Sequence, residues 1–249
     1  NGRVRVGEVD ILGVAVVDLA GDGAPDVLAT NTDANAISIY KHTPDGGLAS
    51  PTLSPAYAEL SGLTWGDLDG DGKPEVYMLS ENEGVVGKST YANGRLSFPE
   101  ALSVSEGFEP VAADVVALED GEQLAVITKS GRKYALDLLD ENGITSTVDL
   151  GSMSRAPETV LSVDADRDGR TDLLLLTPER SATLLLAGED GFELVEKPGQ
   201  EKLLRAAGPL NTTVVDFDGD ERKELLVADR NFVRALRFDR PDPEKASGG

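Results

Sequence analysis

At 249 residues the chain is long enough for one or two domains. A formal net charge of −22, with a pI near 4.3, excludes nucleic acid and anionic lipid as surface partners, because the field of the protein repels both. The lack of cysteine removes disulfides and thiolate metal sites, and an aromatic content of 5%, with Trp65 the one tryptophan, is thin for stacking on sugars or bases.

No apolar run approaches the roughly 20 residues of a membrane-spanning helix, so direct membrane insertion is not expected. The chain starts at Asn1 without a signal peptide, which reads as a mature product or an excised fragment. The first segment, "NGRVRVGEVD" (1–10), resembles a later one, "NGRLSFPE" (93–100), and both read as fourth strands of a repeating unit. That unit announces itself at Val14 with "VAVVDLAGDGAPDVLAT". It returns as "LTWGDLDGDGKPEVYMLS" from Leu63, in degenerate form as "VAADVVALEDGEQLAVIT" from Val111, as "VLSVDADRDGRTDLLLLT" from Val160 and as "TTVVDFDGDERKELLVAD" from Thr212. The acidic turns start near 18, 67, 116, 164 and 216, a period of about 50 residues.

Within each period the pattern is strand, acidic turn, strand, short turn, strand, loop and a weaker strand. Val14–Val17 and Val27–Thr30 flank the first acidic turn, and Ala36–Tyr40 alternates as a half-buried third strand should. Lys133–Leu139 and Ala182–Ala187 are third strands of later copies. Four short strands every 50 residues match one β-propeller blade, whose sheet buries its faces only against neighbouring blades. The expected fold is therefore all-β, a β-propeller of about five four-stranded blades over residues 1–239, with 240–249 a tail or linker. The fifth copy lacks a fourth strand after Val233–Phe238, and the N-terminal segment is expected to complete that blade and cover its edge. The alternative is that these are five blades of a larger ring.

The turns carry the chemistry. Numbering each loop from its first aspartate, acids fall at positions 1, 3, 5 and 9: Asp67, Asp69, Asp71 and Glu75; Asp164, Asp166, Asp168 and Asp172; Asp216, Asp218, Asp220 and Glu224. With the backbone carbonyl of position 7, at Lys73, Arg170 or Arg222, they form an oxygen-rich shell of the kind Ca²⁺ takes, and glycine at position 6 permits the sharp turn. Without a cation, four carboxylates so close together repel one another or hold protons. The first loop offers Asp18, Asp22, Asp26 and the Ala24 carbonyl but has Ala20 at position 3, so a fourth site with one ligand fewer is expected there. Glu221 stands where glycine is preferred in the last loop. The degenerate loop, with Val116, Leu118 and Leu124 at acid positions, is expected to bind no metal. An EF-hand is disfavoured, since position 12 is Met78, Leu175 or Val227 instead of glutamate and the flanks are strands. Three bound ions would bring the net charge from −22 to about −16.

"VVDLAGDGAPDVL", "WGDLDGDGKPEVYM" and "SVDADRDGRTDLLLL" resemble the FG-GAP/VCBS repeats, which include those of integrin α-subunit propellers, and the resemblance extends over roughly residues 1–239. It implies a β-propeller with Ca²⁺ between the first and second strands of each blade, and seven or eight blades. Partners in similar propellers engage the opposite face, which here carries the loops at 31–36, 81–86, 130–132, 178–181 and 229–232. The function expected is that of an extracellular, periplasmic or cell-surface module binding another protein or a cell-surface component, without catalysis. The alternatives are a carbohydrate-active enzyme or a lectin on the same scaffold. Against them, the one histidine, His42, sits in the polar stretch "KHTPDGG", and Trp65 ends a first strand where a core role is expected.

Overall fold

The computed structural model describes residues 13–31, 33–177, 180, 182–189, 191–195, 204, 207–208, 211–217 and 224–236. They form five successive antiparallel sheets, each built by one repeat, and each sheet is one β-propeller blade. The first comprises β1 (Val14–Val17), β2 (Asp26–Asn31), β3 (Ala36–Tyr40) and β4 (Thr52–Pro55). The second comprises β5 (Gly62–Gly66), β6 (Glu75–Ser80), β7 (Val85–Ser89) and, beyond the small ribbon of β8 (Tyr91–Ala92) and β9 (Arg95–Leu96), the short β10 (Glu100–Ala101). The third is β11 (Glu109–Leu118), β12 (Gly121–Ser130), β13 (Lys133–Asp140) and β14 (Gly143–Ser152). The fourth is β15 (Thr159–Val163), β16 (Asp172–Leu176), β17 (Thr183–Gly188) and β18 (Gly191–Val195). The fifth shows β19 (Thr212–Val215), β20 (Glu224–Asp229) and β21 (Phe232–Leu236). The chain thus supplies five blades, as its repeats indicate, where the family resemblance implies seven or eight. The expected pairing of residues 1–10 with the last blade, and the tail 240–249, lie outside the described residues.

By its contacts the chain divides into two compact units, one of residues 1–115 and 121–156, the other of 116–120 and 157–249. In the first unit, Leu28, Ile37 and Ile39 of the first blade pack with Val76 and Met78 of the second, and Trp65 lies partly buried against this cluster, in the core role expected of it. A further cluster joins Tyr77, Leu79 and Val86 to Leu124, Val126 and Leu139 of the third blade. In the second unit, Leu174, Leu176 and Leu184 of the fourth blade meet Leu225, Val227 and Leu236 of the fifth. Apolar surface is therefore buried between blades. The second strands show the consequence, for β6 and β16 are buried at every residue, on both faces. That is why Val76–Leu79 and Leu173–Leu176 within them read as unbroken hydrophobic runs instead of alternating ones.

Two details depart from the expected pattern. Of the segment 93–100 only its last residue, Glu100, joins the fourth strand of its blade: β9 pairs instead with β8, Tyr91 opposite Leu96 and Ala92 opposite Arg95. Asn93 and Gly94, at φ 53° and 81°, both adopt the left-handed conformation of a two-residue hairpin turn, which folds Arg95–Leu96 back before it can reach β7. The fourth strand is instead β10, with Glu100 opposite Lys88 and Ala101 opposite Gly87. In the degenerate copy, apolar residues replace three of the four acids, and the strands continue through the former loop to a turn at Glu119 and Asp120. There β11 and β12 each run for 10 residues, and Val116 and Leu124 are buried. Buried Asp137 of β13 is fully satisfied, accepting from Ser105 N (2.8 Å), Ser105 Oγ (2.6 Å) and Thr147 Oγ1 (2.7 Å).

Candidate metal centre

The acidic loops are closed by one register in four copies. The residue before position 1 lies opposite position 9: Val17 and Asp26, Gly66 and Glu75, Val163 and Asp172, Val215 and Glu224. Position 9 is thus the first residue of the second strand, and its carboxyl group is buried in every case. The chain reverses within the first, second and fourth loops through two left-handed residues. These are Gly21 and Gly23, Gly70 and Gly72, and Arg167 and Gly169, so that position 4 joins position 6 in this conformation. The glycine at position 6 does what its sequence position indicates.

Between those points the carboxylates are held by backbone N–H groups. The position 1 side chain accepts from positions 5 and 6: Asp67 from Asp71 N (3.0 Å) and Gly72 N (2.8 Å), Asp18 from Asp22 N (3.1 Å) and Gly23 N (2.7 Å). In the fourth copy, Asp164 accepts from Gly169 N at 3.2 Å. Position 3 accepts from position 5 at 3.0 Å in both Asp69 and Asp166. Position 5 accepts from position 7, as Asp22 does from Ala24 N (3.1 Å), Asp71 from Lys73 N (2.8 Å) and Asp168 from Arg170 N (2.8 Å). A loop folded on its own side chains in this way converges its acids.

Two groups result whose oxygens lie within 4.8 Å of one another: Asp67, Asp69 and Asp71 in the second copy, and Asp164, Asp166 and Asp172 in the fourth. Each group holds three of the four expected acids. Glu75 is engaged elsewhere, its Oε2 accepting from Leu68 N (3.3 Å) and the Tyr77 hydroxyl (3.2 Å). Asp168 is drawn aside by the Arg170 guanidinium, which donates through Nε at 2.6 Å and lies 2.5 Å away through Nη2. Arg170, of which only the carbonyl was expected to serve the loop, thus also places its side chain there. In the first copy, Asp26 Oδ1 accepts from His42 N (2.8 Å), while Oδ2 is buried without a hydrogen-bond partner. In the last, Glu224 accepts from Phe217 N (3.0 Å), and Asp218, Asp220, Glu221 and Arg222 lie outside the described residues. Asp216 is described and stands at the end of β19.

The electrostatics separate buried acids from exposed ones. Burial raises Glu75 and Asp172 above the ordinary carboxylate range, against the N–H groups that favour their ionised forms. Tyr77 is raised by burial and by the Glu75 carboxylate beside it. Asp168 is lowered, chiefly by its hydrogen bond from Arg170. For Asp18, desolvation opposes ionisation, but the N–H groups of Gly23, Asp22, Gly21 and Ala20 together outweigh it and lower the group. The set as a whole is hard, anionic and all oxygen, which fits Ca²⁺ and offers nothing to a soft metal.

Two residues of this region were not foreseen. Glu122 Oε2 accepts from Asp67 N at 2.7 Å, and Glu119 Oε1 accepts from Thr171 N. Both come from the degenerate copy. A signal for the first exists in the sequence, since Gly66 stands where the first, fourth and fifth loops are preceded by valine.

The profile of the FG-GAP-like repeat matches residues 18–78 and 164–227, half of the chain. No curated protein matches it in sequence. Among solved structures, BBS1N in complex with ARL6DN, in a mercury-soaked crystal, is similar with a TM-score of 0.53 at 16% identity, covering 90% of this chain and 62% of that one. A lead-soaked crystal of the same complex gives 0.55 at 18% identity with the same coverage. A candidate 6-phosphogluconolactonase from Bacteroides uniformis gives 0.56 at 15% identity, covering 91% of this chain and 71% of that one. The chain spans 62% of the length of BBS1N, and at these identities the likeness is one of fold. No helix among the described residues is long and apolar enough to cross a membrane.

Proposed function

Because the chain belongs to the FG-GAP-like repeat family, we propose that it is a calcium-binding propeller module that serves protein interaction without catalysis, outside the cell, in the periplasm or at the cell surface. The observation that carries this reading is the pair of converged aspartate groups, at Asp67, Asp69 and Asp71 and at Asp164, Asp166 and Asp172, each preformed on backbone N–H groups. The unpartnered, buried Oδ2 of Asp26 supports a further site in the first loop. A bound Ca²⁺ would supply the positive charge that these carboxylates lack, and its role is structural. In the second loop Asp67, Asp69 and Asp71, with the Lys73 carbonyl, would hold it, Glu75 closing the shell. In the fourth, Asp164, Asp166, Asp172 and the Arg170 carbonyl would do so, with Asp168 kept charged by Arg170. The last loop would add Asp216, Asp218, Asp220, Glu224 and the Arg222 carbonyl, and the first would add Asp18, Asp22, Asp26 and the Ala24 carbonyl. Extracellular modules work with dissociation constants of about 10⁻⁴ to 10⁻³ M, which suits loops as exposed as these.

The interaction role rests on the family and on a fold shared with BBS1N, which was crystallised with ARL6DN. A partner protein would dock at the short loops between second and third strands, such as those after β2 and β6, at the opposite strand ends from the acidic loops. The test is a count of calcium per chain after equilibrium dialysis, repeated on Asp67→Asn and Asp164→Asn. Three or four ions in the native protein and one fewer in each variant is the expected result. An unchanged count in both variants would remove the loops from the reading.

A further inference from the structure

The third repeat has lost three of its four loop acids, keeping Asp120, but has Glu119 and Glu122 on either side of Asp120–Gly121. Resting on the calcium reading above, we propose that these two glutamates are positioning residues for the metal loops of other blades, Glu122 for the second loop and Glu119 for the fourth. A repeat that has lost its metal loop would then still serve metal binding.

The case for Glu119 comes from the peptide it grips. Thr171 N–H, which Glu119 Oε1 accepts, belongs to the same peptide group as the Arg170 carbonyl, the position 7 ligand. In a planar trans peptide the N–H and C=O point in opposite directions. A carboxylate fixed on the N–H therefore fixes the direction of the carbonyl and, by polarising the peptide, strengthens it as a donor to a cation. The approach of the turn is steadied by Ala117 N, which donates to Ser162 Oγ at 3.1 Å. Glu119 itself is exposed, so it reaches the loop without taking part in a core.

The case for Glu122 comes from the space made for it. Its Oε2 lies 2.7 Å from Asp67 N, at the backbone of the first ligand. A Cβ added at Gly66 would stand 2.6 Å from that same oxygen and 2.5 Å from Val115 Cγ1. The valine found before the other loops could not be accommodated here. The glycine and the glutamate are two halves of one contact, and Val115 N, donating to Thr64 Oγ1 at 3.2 Å, holds β11 close enough to make it.

The experiment is calorimetric titration of calcium into the whole chain and its Glu119→Ala, Glu119→Gln, Glu122→Ala and Glu122→Gln variants, with melting measured with and without calcium. Each alanine variant is expected to weaken one site by about 10- to 100-fold, the usual effect of losing an outer-shell partner. Glutamine, which keeps an acceptor oxygen, is expected to restore most of that affinity. Glu119→Ala placed on Asp164→Ala should change calcium binding no further, because both act on one site. Isotherms unchanged from the native protein, or a fall in melting midpoint equal with and without calcium, would overturn the proposal and leave the calcium reading standing. A native protein that binds no calcium would overturn both. Should an alanine variant fail to fold, its isosteric glutamine counterpart is expected to lose affinity by a few-fold, and no loss there would refute the assignment.

Discussion

Removing calcium should cost the protein a calculable part of its stability. An ion that binds only the folded form contributes RT ln(1 + [L]/Kd), about 2.7 kcal/mol per site at one hundred times Kd. With Kd near 10⁻⁴ M, 10 mM calcium reaches that ratio, and the two converged groups at Asp67 and Asp164 together contribute about 5 kcal/mol. At this chain length each kcal/mol moves the midpoint by about 2–4 °C, so chelation is expected to lower it by about 10–20 °C. The assay is differential scanning calorimetry of dialysed protein in chelator, in 10 mM calcium, and in sodium chloride of matched ionic strength as the screening control. Because the two groups fall in different compact units, Asp67→Asn and Asp164→Asn should each remove about half of the shift. A midpoint that follows ionic strength alone, with no difference between calcium and sodium, would refute the reasoning and reduce the loops to acidic turns.

Three further outcomes are expected. Glu75 and Asp172 are raised by burial, so the stability they lend the metal-free fold is present below about pH 4 and is lost as pH rises through their folded values. In chelator, Glu75→Gln should therefore gain on the native protein between pH 4 and 7, whereas in calcium, which requires the ionised ligand, it should lose ground over the same interval. Gly72 is left-handed at φ 84°, and a Cβ added there would meet nothing within 4 Å. Denaturant unfolding should show Gly72→Ala destabilised by about 1–2 kcal/mol and Gly72→Asn by less. At Gly87 the obstacle is steric, since a Cβ would lie 2.3 Å from the Tyr57 hydroxyl and 2.8 Å from the Glu100 carbonyl. Gly87→Ala should cost about 1–3 kcal/mol in a thermal melt, and Tyr57→Phe should restore only part of it because the backbone of β10 remains in the way.

The legible part of this fold was whatever local pattern determines. The acid spacing, the glycine at position 6 and the apolar flanks located the loops of the first, second and fourth blades, because one peptide segment supplies both the turn and the carboxylates gathered in it. Strand order followed from the period. What was not legible depends on competition or on distance in the chain. Asn93–Gly94 favours a tight hairpin over extension, so a segment with the alternation of a fourth strand pairs with its immediate predecessor instead. Arg170 draws Asp168 away from the Asp164, Asp166 and Asp172 group, a consequence of a rotamer that spacing does not specify. Glu119 and Glu122 act on peptides about fifty residues away in sequence, and only Gly66 hinted that something must pass close to the second loop.

The doubly buried second strands have a consequence for the chain before it folds. Leu173–Leu176 is an uncharged, wholly apolar run that the native protein covers on both faces, and until neighbouring blades arrive it is a sticky segment able to pair with its like on another chain. Four aspartates within the nine residues preceding that run place dense negative charge at its flank, where mutual repulsion keeps such segments apart. On this reasoning the acids would act twice, first as gatekeepers of solubility during synthesis and later as the proposed ligand set of the loop. Replacing Asp164, Asp166 and Asp168 together by asparagine should raise turbidity on refolding in chelator, where calcium plays no part.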